Sequence, residues 1–537
     1  MKAGFAPSSN HIFSRLHLPS RLGFGTEKNP MKRLTLISIA ALTALTGRAA
    51  LPQPDLIAEI HFAGGDKIAG DKNYSSYKTE FSSAEALALR KQTADRLAPW
   101  LSGWLQKNVG VTVAEGALKL RPLFDDLQAA EWYLEARAAA GDKPDVALAI
   151  KISADRVPLW QASLKPFFPA ATFKQSAGWL IFDSGTGASK AGDILARKIS
   201  APPAGWLDMD VNWPRLAQWY PALKDLDLPE TLFNVTAPNE NLHINGKFFF
   251  PENVSSKLET WQFPSNTVHQ PLVGFTAARG FAGWLNGQAW AQPVKFSPPA
   301  NQIFIWAMAG LPFQSFAAVP VPDSAAALRQ LDAGLQPVMA DRNARKGFIA
   351  PFTLSMTNDQ LTLLGAPVMA PYVRAVKEPS GQYLLAGGFA NPLKSKPLPP
   401  ELFQALAAPN LVFYHWEITA ERLPLLANLS QLTLLLTRHK QMDGTTAAYE
   451  WIDKIGPTLG NTDTEITQTA PDQFTFTRKA PGGLTAFELF ALASWLEAPD
   501  FPHCDLKLGA TLDRPKVRIK KPHAAPAMTP GAPAPGN

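Results

Sequence analysis

The segment SAGWLIFDSG (Ser176–Gly185) returns 204 residues later as SGQYLLAGGF (Ser380–Phe389). DVNWPRL (Asp210–Leu216) returns after 207 residues as EITAERL (Glu417–Leu423), and TAPNENLHINGKFFFP (Thr236–Pro251) after 233 as TAPDQFTFTRKAP (Thr469–Pro481). Three matches in one order point to internal duplication, and a chain built that way solves one packing problem twice. The growth of the offset from 207 to 233 places about 26 extra residues in the second copy, around RHKQMDGTTAAYEWIDKIG.

Each copy reads as strand, turn, Pro-rich connector, strand, helix and hairpin. Leu242–Phe250 and Gln473–Arg478 alternate polar with apolar or aromatic residues, as half-buried antiparallel strands do. Thr485 and Glu488 form a capping box at the head of LTAFELFALASWLEAP, where Leu484 can staple onto Leu489 and Phe487, Phe490, Ala491 and Ser494 share a face. Nearer the N-terminus, Ser82 and Glu85 open a helix whose stripe is Leu87, Ala94, Leu97, Leu101 and Trp104, bent or broken near Pro99. A second helix is expected from Asp125-Asp126 through Trp132 and Leu134 to Gly141. The expected fold class is α+β: two related lobes, each an antiparallel sheet with helices on one side, after a mainly helical N-terminal region. The boundaries are 1–50 leader, 51–143 mainly helical region, 144–300 first copy, 301–512 second copy, and 513–537 a tail too rich in Ala, Pro and Gly to fold.

Charge and the leader belong together. Residues 1–50 hold seven Lys or Arg against Glu27 alone; of the chain's 51 basic and 45 acidic side chains, 44 of each remain beyond residue 50. The net charge of +6 is therefore a property of the leader, and nucleic acid is not an expected partner. Within the leader, Met31-Lys32-Arg33 precedes the apolar run LTLISIAALTAL and the small-x-small site Gly47-Arg48-Ala49. That is the layout of a secretory signal peptide starting at Met31, too short for a membrane span. Arg48 stands where a lipoprotein would carry its acylated Cys. The expected location is exported, periplasmic or extracellular, in a bacterium, with no transmembrane segment in the mature chain. Cys504 is the single cysteine, so folding rests on packing without an intramolecular disulfide.

The stretches HFAGGDKIAGDKN and AEALALRKQTADRL near the N-terminus, NLVFYHWEITAERL, and LTAFELFALASWLEAPDFP resemble a family of exported bacterial proteins of unknown function, over most of residues 55–505. The resemblance implies export and this chain layout. It carries no activity.

Candidate chemistry is sparse. Asp183 lies in WLIFDSGTG, the pattern with which aspartic proteases present a carboxylate on a turn. Such an enzyme needs a second carboxylate sharing one proton, and the equivalent residue of the second copy is Gly387, or Ala386 or Gly388 if the register slips by one. None of these can ionise, so only a homodimer could supply the partner. Asp-Ser-Gly-Thr-Gly is also good turn chemistry, and the turn is the expected role. Asp208 and Asp210, and likewise His415 and Glu417, stand at i, i+2 on a strand just before a helix start. Facing one another across a dyad, the two pairs would gather a cation; on a solvated strand edge they would only complement helix dipoles. His503-Cys504-Asp505 is a lone triplet, Ser75-x-x-Lys78 lacks its companion motifs, and GTGASKAG lacks phosphate-loop spacing. No cofactor and no metal are expected. The 15 Trp and 31 Phe serve large cores first, an aromatic ligand platform second. These features describe an exported, non-catalytic binding or scaffold protein whose partner is a protein, lipid or glycan of the envelope. The alternatives are an envelope hydrolase using Asp183 or the Asp208/Asp210 pair, and a periplasmic lipid or glycan carrier.

Overall fold

The computed structural model describes residues 55–503 except 76–79, 106–109, 139–143, 185–189, 201–202, 204, 221–222, 224–227, 253, 255–257, 287–295, 310–313, 345–350, 366–368, 390–397, 399 and 437–445. The leader, the Pro/Ala-rich tail, Cys504 and the Gly-Thr-Gly after Ser184 lie outside the described residues. Among the described residues the fold is mixed α+β around one antiparallel sheet of 18 strands. Eight come early: β1 (Leu56–Phe62), β2 (Trp132–Arg137), β3 (Asp145–Lys151), β4 (Thr172–Ser176), β5 (Trp179–Asp183), β6 (Leu207–Val211), β7 (Glu230–Thr236) and β8 (Leu242–Phe249). Ten follow: β9 (Leu272–Arg279), β10 (Gln302–Met308), β11 (Ser315–Pro320), β12 (Thr353–Met356), β13 (Gln360–Leu364), β14 (Tyr372–Glu378), β15 (Gly381–Gly387), β16 (Leu411–Ile418), β17 (Asn461–Ala470) and β18 (Gln473–Ala480).

The pairings run β4-β5-β3-β2-β1-β6-β7-β8 and then β18-β17-β16-β9-β10-β11-β15-β14-β13-β12. The order β5-β3-β2-β1-β6-β7-β8 thus reappears as β15-β11-β10-β9-β16-β17-β18. The two sets meet where β8 pairs antiparallel with β18, centred on Asn245 opposite Thr477. A shared ladder of backbone hydrogen bonds joins them.

Eight longer helices cover the sheet: α1 (Ala84–Leu105), α2 (Val113–Ala129), α3 (Val157–Leu164), α4 (Ala191–Lys198), α5 (Ser324–Ala344), α6 (Thr419–Leu436), α7 (Ala447–Ile455) and α8 (Ala486–Glu497). Alternation along each strand decides which face they cover. On one face, Ile150, Leu180 and Phe182 pack under Leu120, Leu123 and Trp160 of α2 and α3; farther along that face, Leu361 and Leu384 pack under Leu328 and Leu331 of α5. On the opposite face, among the described residues, the eight-residue α4 lies over Tyr133, Ala147 and Trp179, and residues 400–406 lie over Phe304, Trp306 and Phe316. None of the helices among the described residues is long and apolar enough to cross a membrane.

The N-terminal stretch is mainly helical, with departures from the sequence pattern. Ser83, not Ser82, accepts from the Ala86 amide at 3.1 Å, because the helix begins one residue later. Pro99 sits inside an unbroken α1, whose buried residues are Ala86, Leu89, Ala94, Ala98 and Ser102, while Leu87 and Trp104 are exposed. The helix expected from Asp125 through Leu134 is instead the end of α2 followed by β2. Its start is a capping box of Thr112 and Glu115, and WYLEAR alternates with the period of a strand. Pro122 inside α2 masks that helix in the sequence. At the other end, the Thr485/Glu488 box and the packing of Leu484 with Leu489 form as read, although Phe487 is exposed and Ala486, Leu489 and Ala493 make the buried face. The extra residues of the later set contain α7, whose Trp451 and Ile452 pack against Ala86 and Leu89 of α1. The N-terminal helices thereby bind the two ends of the chain together: Trp451 donates to the Glu80 carbonyl at 2.7 Å, and Arg96 donates to the carbonyls of Leu496 and Ala498.

Candidate functional site

Strand register explains an unusual band of charge. On β1, Glu59 lies opposite Glu135 of β2 on one side and Asp210 of β6 on the other; His61 lies opposite Tyr133 and Asp208. Like charges directly opposite destabilise a sheet, so cations are needed. Lys198, at the end of α4, places its Nζ 2.7 Å from Glu59 and 3.0 Å from Glu135, while Arg137 donates to Glu135 and Asp55. His61 is buried against the Tyr133 ring, with centroids 4.4 Å apart. Its Nε2 is 3.2 Å from Glu131 and its Nδ1 3.3 Å from Asp208, whose other oxygen accepts from Asn234 at 2.6 Å. Both ring nitrogens are thus engaged, and no free position remains for proton transfer to a substrate.

Asp210 differs. Burial, then the proximity of Glu230 and Glu59, push its carboxyl up to about 6, with Lys198 and Arg215 offsetting part of that. Between its ordinary 3.8 and about 6, the folded chain holds a proton that the unfolded chain has released. Stability therefore falls as pH rises through that window. Asp210→Asn is expected to be neutral at acid pH and to stabilise the chain by about 1–2 kcal/mol above pH 7, a figure discounted for the partial exposure of the group. Urea melts at the two pH values check this; equal midpoint shifts at both would refute it.

The two sequence pairs do not meet. Between β6 and β16 lie β7, β8, β18 and β17, five steps or roughly 24 Å along the sheet. They also occupy opposite faces. Following the register from Asp208 through Asn234, Asn245, Thr477 and Glu465 leads to Tyr414, not His415. The sequence match at 207 is one residue off this register, and one residue inverts the face of a strand. A cation shared by Asp208, Asp210, His415 and Glu417 is therefore excluded by geometry. Among the described residues, no three or more His, Cys, Asp or Glu side chains are arranged to hold a metal.

His415 and Glu417 serve the architecture. His415 Nδ1 is 2.7 Å from Thr276 Oγ1, and Nε2 lies 3.4 Å from Glu417. Glu417 is buried and accepts from the Ala486 amide at 2.6 Å, anchoring the first turn of α8. Burial opposes its ionisation, but His415, the Ala486 amide and Arg422 together hold its pKa below the ordinary value. Asp183 has a similar role, accepting from the Gly192 amide at 3.0 Å in the first turn of α4. Across the ladder it faces Ala147 and Thr172. Gly387 is on β15, with twelve strands between it and β5, so the two corners that an aspartic protease would bring together are far apart.

A second feature had no signal in the sequence. In the later half, a cavity of about 520 Å³ lies between the sheet and α5, lined by Ile305, Ala317, Leu335, Met339, Leu361 and Val373 among others. Its size is that of a small-molecule pocket. The lining residues come from eight elements and the turns between them, each contributing one to three, which is why no local motif marks them. No protein-family model, no curated protein and no solved structure matches the chain.

Proposed function

We propose that this chain is an exported, non-catalytic binding module that holds an apolar ligand in the cavity of its later half. One observation carries the reading: an open space of about 520 Å³ with an almost wholly apolar lining. Packed interiors leave few voids larger than a water molecule, so space of this size that is lined by Leu, Ile, Met and Val suits a ligand. The charged band around His61 supports the same reading by contrast, since Lys198 and Arg137 pair with Glu59, Glu135 and Asp55 and hold strands in place. The recurring strand order supports duplication as the origin of the fold. The later half has diverged toward binding, with β12 and β13 added at the sheet edge beside the cavity.

Ala317 is half-buried on β11 and lines the cavity. Ala317→Trp is expected to fill the space and abolish uptake of N-phenyl-1-naphthylamine, read as fluorescence enhancement, while the urea midpoint stays near the wild-type value. Equal dye binding by both proteins would refute the site.

A further inference from the structure

Resting on that reading, we infer that the ligand is an uncharged aliphatic molecule, a long-chain alcohol or ester without a charged headgroup. The lining is the argument. Among the described residues around the cavity, none is Lys, Arg, His, Asp, Glu, Asn or Gln; the side-chain polar groups are the hydroxyls of Ser315 and Tyr372. Tyr372 already donates to the Phe389 carbonyl at 3.1 Å, which leaves Ser315 for a ligand. One hydroxyl can satisfy an alcohol or an ester oxygen. It cannot compensate a carboxylate or phosphate brought out of water, which needs an ion pair or several donors.

The walls favour an aliphatic chain over a rigid ring system. They are built mainly from Leu, Ile, Val and Met, the last a side chain that adapts to irregular partners. Phe316 is committed to the Trp306 ring, stacked at 5.6 Å and 27°. Ile305, on the wall, is 41% exposed, which places one side of the cavity at solvent and gives an aliphatic chain its way in.

The test is displacement of N-phenyl-1-naphthylamine from the full-length chain by straight-chain 1-alkanols and by the sodium salts of the matching fatty acids at pH 8. The alkanols are expected to displace the dye at least tenfold more tightly than the carboxylates. Their affinity should rise about fourfold with each added methylene until the cavity is full, and Ala317→Trp should lose the effect. Carboxylates binding as tightly as alkanols would overturn the uncharged class while leaving the cavity as a site. Displacement only by a planar aromatic competitor such as naphthalene would overturn the aliphatic assignment in the same way. Failure of the dye itself to bind the wild-type chain would overturn the binding-module reading and this inference with it.

Discussion

Glu488→Ala is expected to destabilise the chain by about 3–5 kcal/mol, because it leaves a buried guanidinium without its counter-charge. Arg478 projects from β18 beneath α8 and is buried with Glu488. Its two terminal nitrogens donate to the two oxygens of Glu488 at 2.8 and 3.0 Å, and its Nε donates to Thr464 at 2.9 Å. Glu488 also accepts from the Thr485 amide at 2.8 Å and so closes the capping box of α8. Alanine removes the ion pair and one half of the cap together. The double variant Arg478→Met, Glu488→Leu removes both charges, and its loss should be smaller than that of Glu488→Ala alone, since no uncompensated ion remains. Denaturant unfolding of the three proteins decides the matter. A single variant within about 1 kcal/mol of wild type, the median worth of an exposed pair, would mean that water reaches Arg478.

Glu80→Gln should remove most of a pH dependence of about 3 kcal/mol. Glu80 is 1% exposed; one of its oxygens accepts from the Tyr74 hydroxyl at 2.8 Å, and Oε1 has no partner among the described residues. Burial raises its pKa from 4.5 to about 7, against the Tyr74 bond and with a smaller contribution from Glu240. The sign follows from proton binding. Below pH 4.5 both states hold the proton; between 4.5 and about 7 only the folded chain does, so each step upward in pH favours unfolding. At 1.36 kcal/mol per unit the window is worth roughly 3 kcal/mol. The stability difference between Glu80→Gln and wild type should accordingly grow in favour of the variant by about that amount from pH 4.5 to 7.5. A difference that stays flat across the range would show that Glu80 is ionised throughout. The effect has a structural address: Glu80 lies where the N-terminal helices meet α7, so the contact between chain ends should loosen first as pH rises.

The acidic residues of the candidate site show how far a linear reading reaches. Asp208 and Asp210 were legible as neighbours on one strand face, and they do share that face. What surrounds them was not. Glu59 and Glu135 arrive from strands that are distant in sequence, and Lys198 reaches them from the end of a helix. Glu59-x-His61 and Glu135-x-Arg137 do leave a trace, ionisable groups at every second position of otherwise apolar strands. That alternation reports a polar face without naming its partners. The cavity left no trace at all, because apolar residues around a void have the same periodicity as those in a filled core.

Sequence alone determined what depends on neighbours within a few residues: the alternation along β8 and β18, the Thr485/Glu488 capping box, and the α+β class that these elements require. Tertiary structure alone decided that β8 pairs with β18, that Glu417 anchors a helix 69 residues onward, and that the two ionisable pairs stand on opposite faces. The physical reason is the two-residue period of a strand. Local pattern defines two faces, but which face meets which helix is settled by pairing register, and register is chosen by the energy of the whole packed sheet.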